Sequence, residues 1–106
     1  MRTAVAYPNV DGVRPAVAKV AVLPRGWVSH DERLVLMALA LHSRDGLRTA
    51  PGWDGLAGWV GIWPSSVREI VRRLESPDPT RNRPVGLIRC EQDTEPDRVT
   101  FVLLLP

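Results

Sequence analysis

The stretch LAGWVGIWPSSVREIVRRL, residues 56–74, carries two helical patterns separated by a short turn. Gly61 can adopt the positive φ angle that ends a helix, and Pro64 suits the first position of the next one. In the second pattern the apolar residues follow the i, i+3, i+4, i+7 spacing of one helix face, and they are Val67, Ile70, Val71 and Leu74. The stretch therefore predicts a helix ending near Val60, a tight turn, and a helix over 64–74.

The residues before this stretch predict one long and one short helix. Ser29 and Glu32 have the spacing of a capping box, in which each side chain bonds the backbone N–H of the other residue. Apolar side chains over 34–41 cover most of the helix circumference, so we expect a buried helix that ends near Ser43. The short helix is expected over 51–60, just before the turn.

The two ends of the chain have extended and strand-like patterns. Residues 1–15 contain prolines and little periodicity, so we expect an extended arm. AVAKVAVL, residues 16–23, carries three valines and predicts the first strand. The proline-rich segment 76–84 predicts a loop. GLIRCEQ, residues 86–92, and RVTFVLLL, residues 98–105, then predict a β-hairpin.

The composition fits one small domain. A chain of 106 residues with 44% hydrophobic residues can bury a single core, so we expect an arm at 1–15 and one domain at 16–106. The net charge is only +2, but the basic residues are 13 arginines and one lysine. This balance permits a nucleic-acid partner without requiring one. The arginine content also fits a GC-rich genome.

The cysteine count and hydropathy indicate a compartment. The single cysteine, Cys90, cannot form an internal disulfide, which suits a reducing environment. The amino-terminal residues lack a signal-peptide pattern, and no apolar run approaches the roughly 20 residues that a membrane span requires. We therefore expect a soluble protein of the cytoplasm with no membrane partner.

The order of the predicted elements resembles a winged helix-turn-helix. The residues that carry the resemblance are Ala57, Gly61, Ile62, Val67 and Ile70, followed by a run into the wing, Leu74, Glu75, Gly86, Leu87 and Ile88. The resemblance covers about residues 16–105, and within the winged-helix class the chain is similar to small phage, plasmid and actinobacterial regulators. The resemblance implies an α+β fold with three helices, a small antiparallel sheet and a C-terminal β-hairpin wing.

A winged helix-turn-helix implies double-stranded DNA as the partner and the helix at 64–74 as the recognition helix, docked in a major groove. Arg68 would then contact a guanine edge, and Ser65 and Ser66 a base or a phosphate. The residues expected to meet the phosphate backbone are Arg72, Arg73, Arg48, Arg81 and Arg83. A solvated helix face would carry similar arginines, but the turn spacing favours a nucleoid-associated transcriptional regulator that occupies an operator.

Two features depart from a DNA-binding pattern. Trp63 stands where such proteins usually place a serine or threonine cap, and Trp59 stands where polar or basic residues often meet phosphate. The tip of the expected wing is acidic, with Glu91, Asp93, Glu95 and Asp97. The alternative is therefore a winged helix that binds another protein through the two tryptophans, or an architectural or accessory factor in a replication, partition or transcription assembly. Trp53 and Trp59 cannot share one narrow helical stripe, so at least one should be partly exposed.

No catalytic, metal or cofactor site is predicted. Ser29, His30 and Asp31 are the residue types of a catalytic triad. Adjacent residues at a helix start point in different directions, however, so these three cannot form the hydrogen-bonded relay that activates a serine. His30, His42 and Cys90 lack the spacing of a zinc site, and no glycine-rich phosphate loop is present. We expect no enzyme activity, no cofactor and no small-molecule ligand.

The last strand predicts self-association. VTFVLLL, residues 99–105, is apolar at both strand parities, so both of its faces need cover. Small sheets in monomers leave a face or an edge exposed, and we therefore expect a symmetric homodimer formed by this strand, by the arm at 1–15, or by both. The other interpretation is that the arm folds over the sheet of its own chain.

Overall fold

The computed structural model describes residues 10–43, 48–92 and 99–106. The described elements are α1 (Val10–Ala21), α2 (His30–His42), β1 (Arg48–Thr49), α3 (Gly52–Val60), α4 (Pro64–Glu75), a 3₁₀ helix (Pro79–Arg81), β2 (Ile88–Gln92) and β3 (Val99–Leu103). The strands form one antiparallel sheet in the order β1-β3-β2. The described part of the chain is thus an α+β fold with four helices, one more than the three that were expected.

The additional helix replaces the strand predicted at 16–23, so that prediction was wrong. Residues 10–15, expected in the extended arm, also belong to α1, whereas residues 1–9 lie outside the described residues. Ala16, Val20 and Leu23 are buried with an i, i+4, i+7 spacing, which is that of a helix face. The valines suggested a strand, but packing of this face against α2 decides for a helix.

The long helix α2 begins as predicted. The Ser29 Oγ accepts from the Glu32 N–H at 3.2 Å, and the Glu32 Oε1 accepts from the Ser29 N–H at 2.8 Å. These two bonds satisfy backbone donors that no helical carbonyl can reach. The helix ends at His42 with Ser43 as its cap, also as expected.

The turn between α3 and α4 is confirmed. Gly61 has φ +85° and donates its backbone N–H to Ala57 at 2.8 Å, which ends α3. Trp63 is extended and Pro64 takes the first position of α4, where its missing N–H costs no hydrogen bond. The predicted stripe of α4 is buried in full, and its members are Val67, Ile70, Val71 and Leu74.

The predicted hairpin is formed by β2 and β3, and residues 93–98 of its connection lie outside the described residues. Val99, Phe101 and Leu103 belong to the core, and the sheet packs against α2, α3 and α4. The third strand is β1, which pairs with β3 through Arg48 and Thr49 and which the sequence did not predict. Together these elements enclose one core between the helices and the inner face of the sheet.

The outer face of β3 is covered within the chain. Val102 is buried and its cross-strand partners are Arg48 on β1 and Arg89 on β2. Both arginines bind the Glu91 carboxylate: Arg48 through its Nη1 at 2.6 Å, and Arg89 through its Nη2 at 3.0 Å. Their aliphatic stems flank Val102, because paired residues share one face of a sheet. The apolar outer position of β3 therefore does not require a second chain to bury it.

The described helices include none with the length and apolar character that would be needed to cross a membrane.

Candidate nucleic-acid interface

The side of α4 that faces away from the core is polar and exposed. Its exposed residues are Ser65, Ser66, Arg68, Glu69, Arg72, Arg73 and, at the carboxyl end, Glu75. The helical spacing places Ser65, Glu69 and Arg72 along the centre of this surface. Arg68 lies on the flank toward α3, and Arg73 on the flank toward α2. We call this surface the α4 face.

A cleft of about 760 Å³ lies between the start of α3 and the middle of α4, and its lining residues are Pro51, Gly52, Trp53, Asp54, Arg68, Arg72 and Glu75. The guanidinium carbon of Arg68 lies 5.4 Å from the centre of the Trp53 ring, a distance at which the cation is attracted to the ring. Trp53 in turn contacts Phe101 edge-on, with 5.1 Å between ring centres. A core aromatic thus supports Arg68.

The contact between Trp53 and Arg68 was not predicted from the sequence. Trp53 is partly buried against the core. Its second role depends on α3 and α4 crossing so that two residues distant in the chain become neighbours, and no local pattern announces that contact. The structure therefore adds Trp53 to the residues that position the α4 face.

Arg72 is the other cation on this side of α4. Among the described residues it has no hydrogen bond or ion pair, and it lines the same cleft as Arg68. Glu69 stands one turn before it on the exposed side of the helix. The cleft side of α4 therefore holds two positive side chains, Arg68 and Arg72, together with the carboxyl groups of Asp54 and Glu75. Glu69 lies on the other flank with the serine hydroxyls of the first turn.

Arg73 and Arg81, both predicted phosphate contacts, converge on the buried carboxylate of Glu32. Arg73 Nε lies 3.5 Å from Oε2, and Arg81 Nη1 lies 3.2 Å from Oε1. Arg81 also pairs with Asp78 at 3.5 Å. These bridges tie α4 and the 3₁₀ helix to the start of α2. The two arginines thus share the Glu32 carboxylate, Arg81 has Asp78 as a second partner, and the Arg73 side chain stays half exposed.

Arg83 is not a surface residue, so its prediction as a DNA contact was wrong. Its side chain is 1% exposed, and it donates to the carbonyl oxygens of Trp27 at 3.3 Å, Arg73 at 2.8 Å and Ser76 at 2.8 Å. The last two carbonyls lie at the carboxyl end of α4, where helical partners are missing and a cation is favoured. Arg83 therefore caps α4.

Arg48, predicted as a phosphate contact, lies on the outer face of the sheet and is bridged to Glu91. The hydrogen bond from Arg48, followed by that from Arg89, lowers the pKa of the Glu91 carboxyl. Glu91 was one of the acidic residues that depart from a DNA-binding pattern, but its charge is paired with two arginines. The other expected acidic residues of the wing, Asp93, Glu95 and Asp97, lie outside the described residues.

The tryptophans of the turn are exposed. Trp63 is 79% exposed and makes no side-chain capping bond to α4. Trp59 is 39% exposed and stacks on His42, with 3.8 Å between ring centres and 12° between planes. The prediction that Trp53 or Trp59 is partly exposed is thus confirmed. An apolar surface adjoins the α4 face.

The described residues contain no group of three or more His, Cys, Asp or Glu side chains placed to hold a metal ion. The Cys90 thiol, half-buried beside Phe101 as its strand partner, lies 3.4 Å from the Glu75 carboxylate. Burial, and secondarily Glu75, raises the pKa of this thiol to about 12, so it is almost entirely protonated at neutral pH. Cys90 thus lacks the reactivity of a nucleophile.

No family model matches the chain, and comparisons with curated proteins and with solved structures likewise found no match.

Proposed function

We propose that this protein binds double-stranded DNA sequence-specifically as a winged helix-turn-helix, with α4 as the recognition helix and the β2–β3 hairpin as the wing. The observation that carries the proposal is the α4 face, with two arginines projecting beside a helix-turn-helix spacing. A protein of this kind, acting by operator occupancy, is a transcriptional regulator of the nucleoid.

The α4 face supports a division of labour between its side chains. Arg68 is oriented by Trp53, and a guanidinium held in one plane suits bidentate contact with a guanine edge. Ser65 and Ser66, in the first turn of α4, are placed to bond a base or a phosphate. Arg72, one turn beyond Arg68, meets the backbone. These roles assign specificity to Arg68 and affinity to Arg72.

Glu69 adds a constraint on the sequence that is read. A carboxylate next to phosphate is repulsive, whereas the amino group of cytosine donates a hydrogen bond to a carboxylate in the major groove. Glu69 lies between Arg68 and Arg72 in the sequence and is exposed on the flank of α4 that carries Ser65 and Arg73. A site that offers guanine to Arg68 and cytosine to Glu69 satisfies both side chains.

The pairing of the other arginines predicts a shallow salt dependence. Arg83 is buried, and Arg73 and Arg81 are bridged to Glu32. If about two phosphates are neutralised per chain, the logarithm of the affinity falls with the logarithm of the salt concentration with a slope of about −2. Most of the binding free energy would then depend on the contacts of α4 with bases.

The test is fluorescence anisotropy with labelled duplexes from the region upstream of the protein's own coding sequence and with scrambled duplexes of equal composition. Arg68→Ala should abolish the preference for the upstream duplex, and Arg72→Ala should reduce the salt slope by about one while keeping the preference. The matched control is Arg25→Ala, because Arg25 is an exposed arginine of the α1–α2 loop. Arg68→Ala and Arg72→Ala proteins that bind like the control would reject α4 as the reading helix.

The second candidate function is a protein-interaction module. The 79% exposure of Trp63, next to the partly exposed Trp59, favours it, since tryptophan is enriched at protein interfaces. With Trp63 as the probe, a shift of its fluorescence on adding a protein partner, together with no shift on adding DNA, would favour this candidate over DNA binding.

A further inference from the structure

One side of α2 is apolar and remains uncovered by any described element. Leu34 is 54% exposed and Leu41 is 55% exposed. They are seven residues apart, which is two helical turns, and therefore lie on the same side of α2. Ala38, between them, is partly exposed. We call the surface of these three residues the α2 ridge.

The exposed tryptophans flank the α2 ridge at its two ends. At the amino end, Asp31 shares a groove with Ile62 and Trp63. At the carboxyl end, His42 carries the stacked ring of Trp59. The α2 ridge and the two tryptophans thus form one apolar surface with an acidic residue at one end and a histidine at the other.

The area of this surface is close to what a small interface needs at its centre. With roughly 200 Å² for a whole aromatic side chain, the exposed fractions of Trp63 and Trp59 offer roughly 250 Å². The leucines bring the apolar area to roughly 450 Å². That area lies within the roughly 300–600 Å² of the largest apolar patch on a typical monomer, a patch that is often functional. It is also about half of the roughly 800 Å² that each partner buries in a standard interface. The polar rim supplies the remainder.

We propose that a second copy of this chain covers the surface, with the two α2 helices packed antiparallel about a two-fold axis near Ala38. In that register Leu34 of each copy packs against Leu41 of the other, and the small side chain at the axis lets the helices approach. The Asp31 end of one α2 faces the His42 end of the other, so that the two helix dipoles run antiparallel and the acidic side chain lies near the oppositely charged pole of its own helix. A self-complementary surface of this kind fits a copy of itself.

This assignment differs from a dimer formed by β3, whose outer position is already buried between Arg48 and Arg89. It also leaves the DNA-binding proposal independently testable. Arg68 and Arg72 line the cleft on the α3 side of α4, whereas Ser66 lies on the groove with Trp63. A dimer on the α2 ridge therefore leaves both arginines accessible, whereas Ser66 borders the dimer surface and is not among the DNA contacts tested by Arg68→Ala and Arg72→Ala.

The first experiment is sedimentation equilibrium on the full chain. The wild type should be a dimer with a micromolar dissociation constant, and Leu34→Asp or Leu41→Asp should raise that constant at least tenfold. Val22→Asp is the matched control, because Val22 is 77% exposed and lies beyond the end of α1. A wild type that stays monomeric, or Val22→Asp dissociating the dimer as strongly as Leu34→Asp, overturns the proposal.

The second experiment tests the two-fold axis by oxidation of Ala38→Cys in a Cys90→Ser background. Two cysteines facing each other at the axis should form an intermolecular disulfide faster than Val22→Cys in the same background. Equal rates overturn the antiparallel register. A monomeric wild type whose Trp63 becomes shielded only when a different protein is added also overturns the proposal. Loss of DNA binding by Arg68→Ala without loss of the dimer separates the two functions.

Discussion

Replacing Arg83 distinguishes a buried cap from a DNA contact, and the structure sets the size of the expected effect. Arg83→Ala removes the donors of three carbonyl oxygens, those of Trp27, Arg73 and Ser76. The bonds to the last two are short, at 2.8 Å each, and these oxygens end α4. In the wild type the guanidinium satisfies acceptors that no helical N–H can reach.

Each buried acceptor left without a partner costs about 1–3 kcal/mol. The longest bond, 3.3 Å to Trp27, contributes least, and the loop can admit water to part of the vacated space. We therefore expect Arg83→Ala to lower the free energy of unfolding by about 3–5 kcal/mol, a large share of the roughly 5–15 kcal/mol of a typical domain. Arg83→Lys, with one ammonium for three carbonyls, should cost about 2 kcal/mol.

The assay is urea unfolding followed by circular dichroism, with DNA affinity measured on the same preparations. Arg72→Ala is the comparison, since an exposed arginine without a partner among the described residues should change the free energy of unfolding by less than about 0.5 kcal/mol. If Arg83→Ala unfolds like Arg72→Ala but loses DNA binding, the assignment of Arg83 as a buried cap is refuted.

Three further changes have defined outcomes. Gly86→Ala places a Cβ in steric conflict with the Glu75 carbonyl oxygen and should lower the free energy of unfolding by at least about 2 kcal/mol. Gly58→Ala meets no atom within 4 Å and should raise the free energy of unfolding by up to about 1 kcal/mol; equal urea midpoints for the two variants would contradict this. Labelling of Cys90 by iodoacetamide should rise about tenfold per pH unit above neutrality without levelling off below its pKa of about 12, and a plateau near pH 9 would contradict its burial. Hydrogen bonds from Arg48 and then Arg89 lower the pKa of the Glu91 carboxyl below its ordinary value of 4.5. The ionised carboxylate therefore stabilises the fold above pH 4.5, and this stabilisation is lost as the pH falls through the folded pKa. The free energy of unfolding in urea should depend less on acid pH for Glu91→Gln than for the wild type, and an unchanged dependence would count against the pairing.

The elements that sequence reasoning predicted well are those whose causes are local. The Ser29 capping box, the Gly61 turn and the stripe of α4 each depend on residues within two turns of one another. Capping hydrogen bonds and helix periodicity act over that range, so the spacing of residues in the sequence is enough to predict these three features. The β-hairpin was predictable for the same reason.

The amino-terminal helix shows where local reasoning stopped. AVAKVAVL carries both a valine-rich strand signal and a helical spacing of buried residues. Arg33 donates to the carbonyl oxygens of Val20 at 2.6 Å and Leu23 at 3.4 Å, which fixes the end of α1 beside α2. Docking on α2 thus selects between two conformations that the segment alone permits.

The arginines show the same limit at the candidate site. The chain alone determined that this protein is rich in arginine and that α4 would expose a basic side. Partners far along the chain decide which arginines are available to contact DNA. Arg48 pairs with Glu91, 43 residues away, and Arg81 pairs with Glu32, 49 residues away. Burial of Arg83 among carbonyl groups was likewise a tertiary outcome. The physical reason is that charge pairing and burial depend on distance in space, which only the packed helices and sheet define.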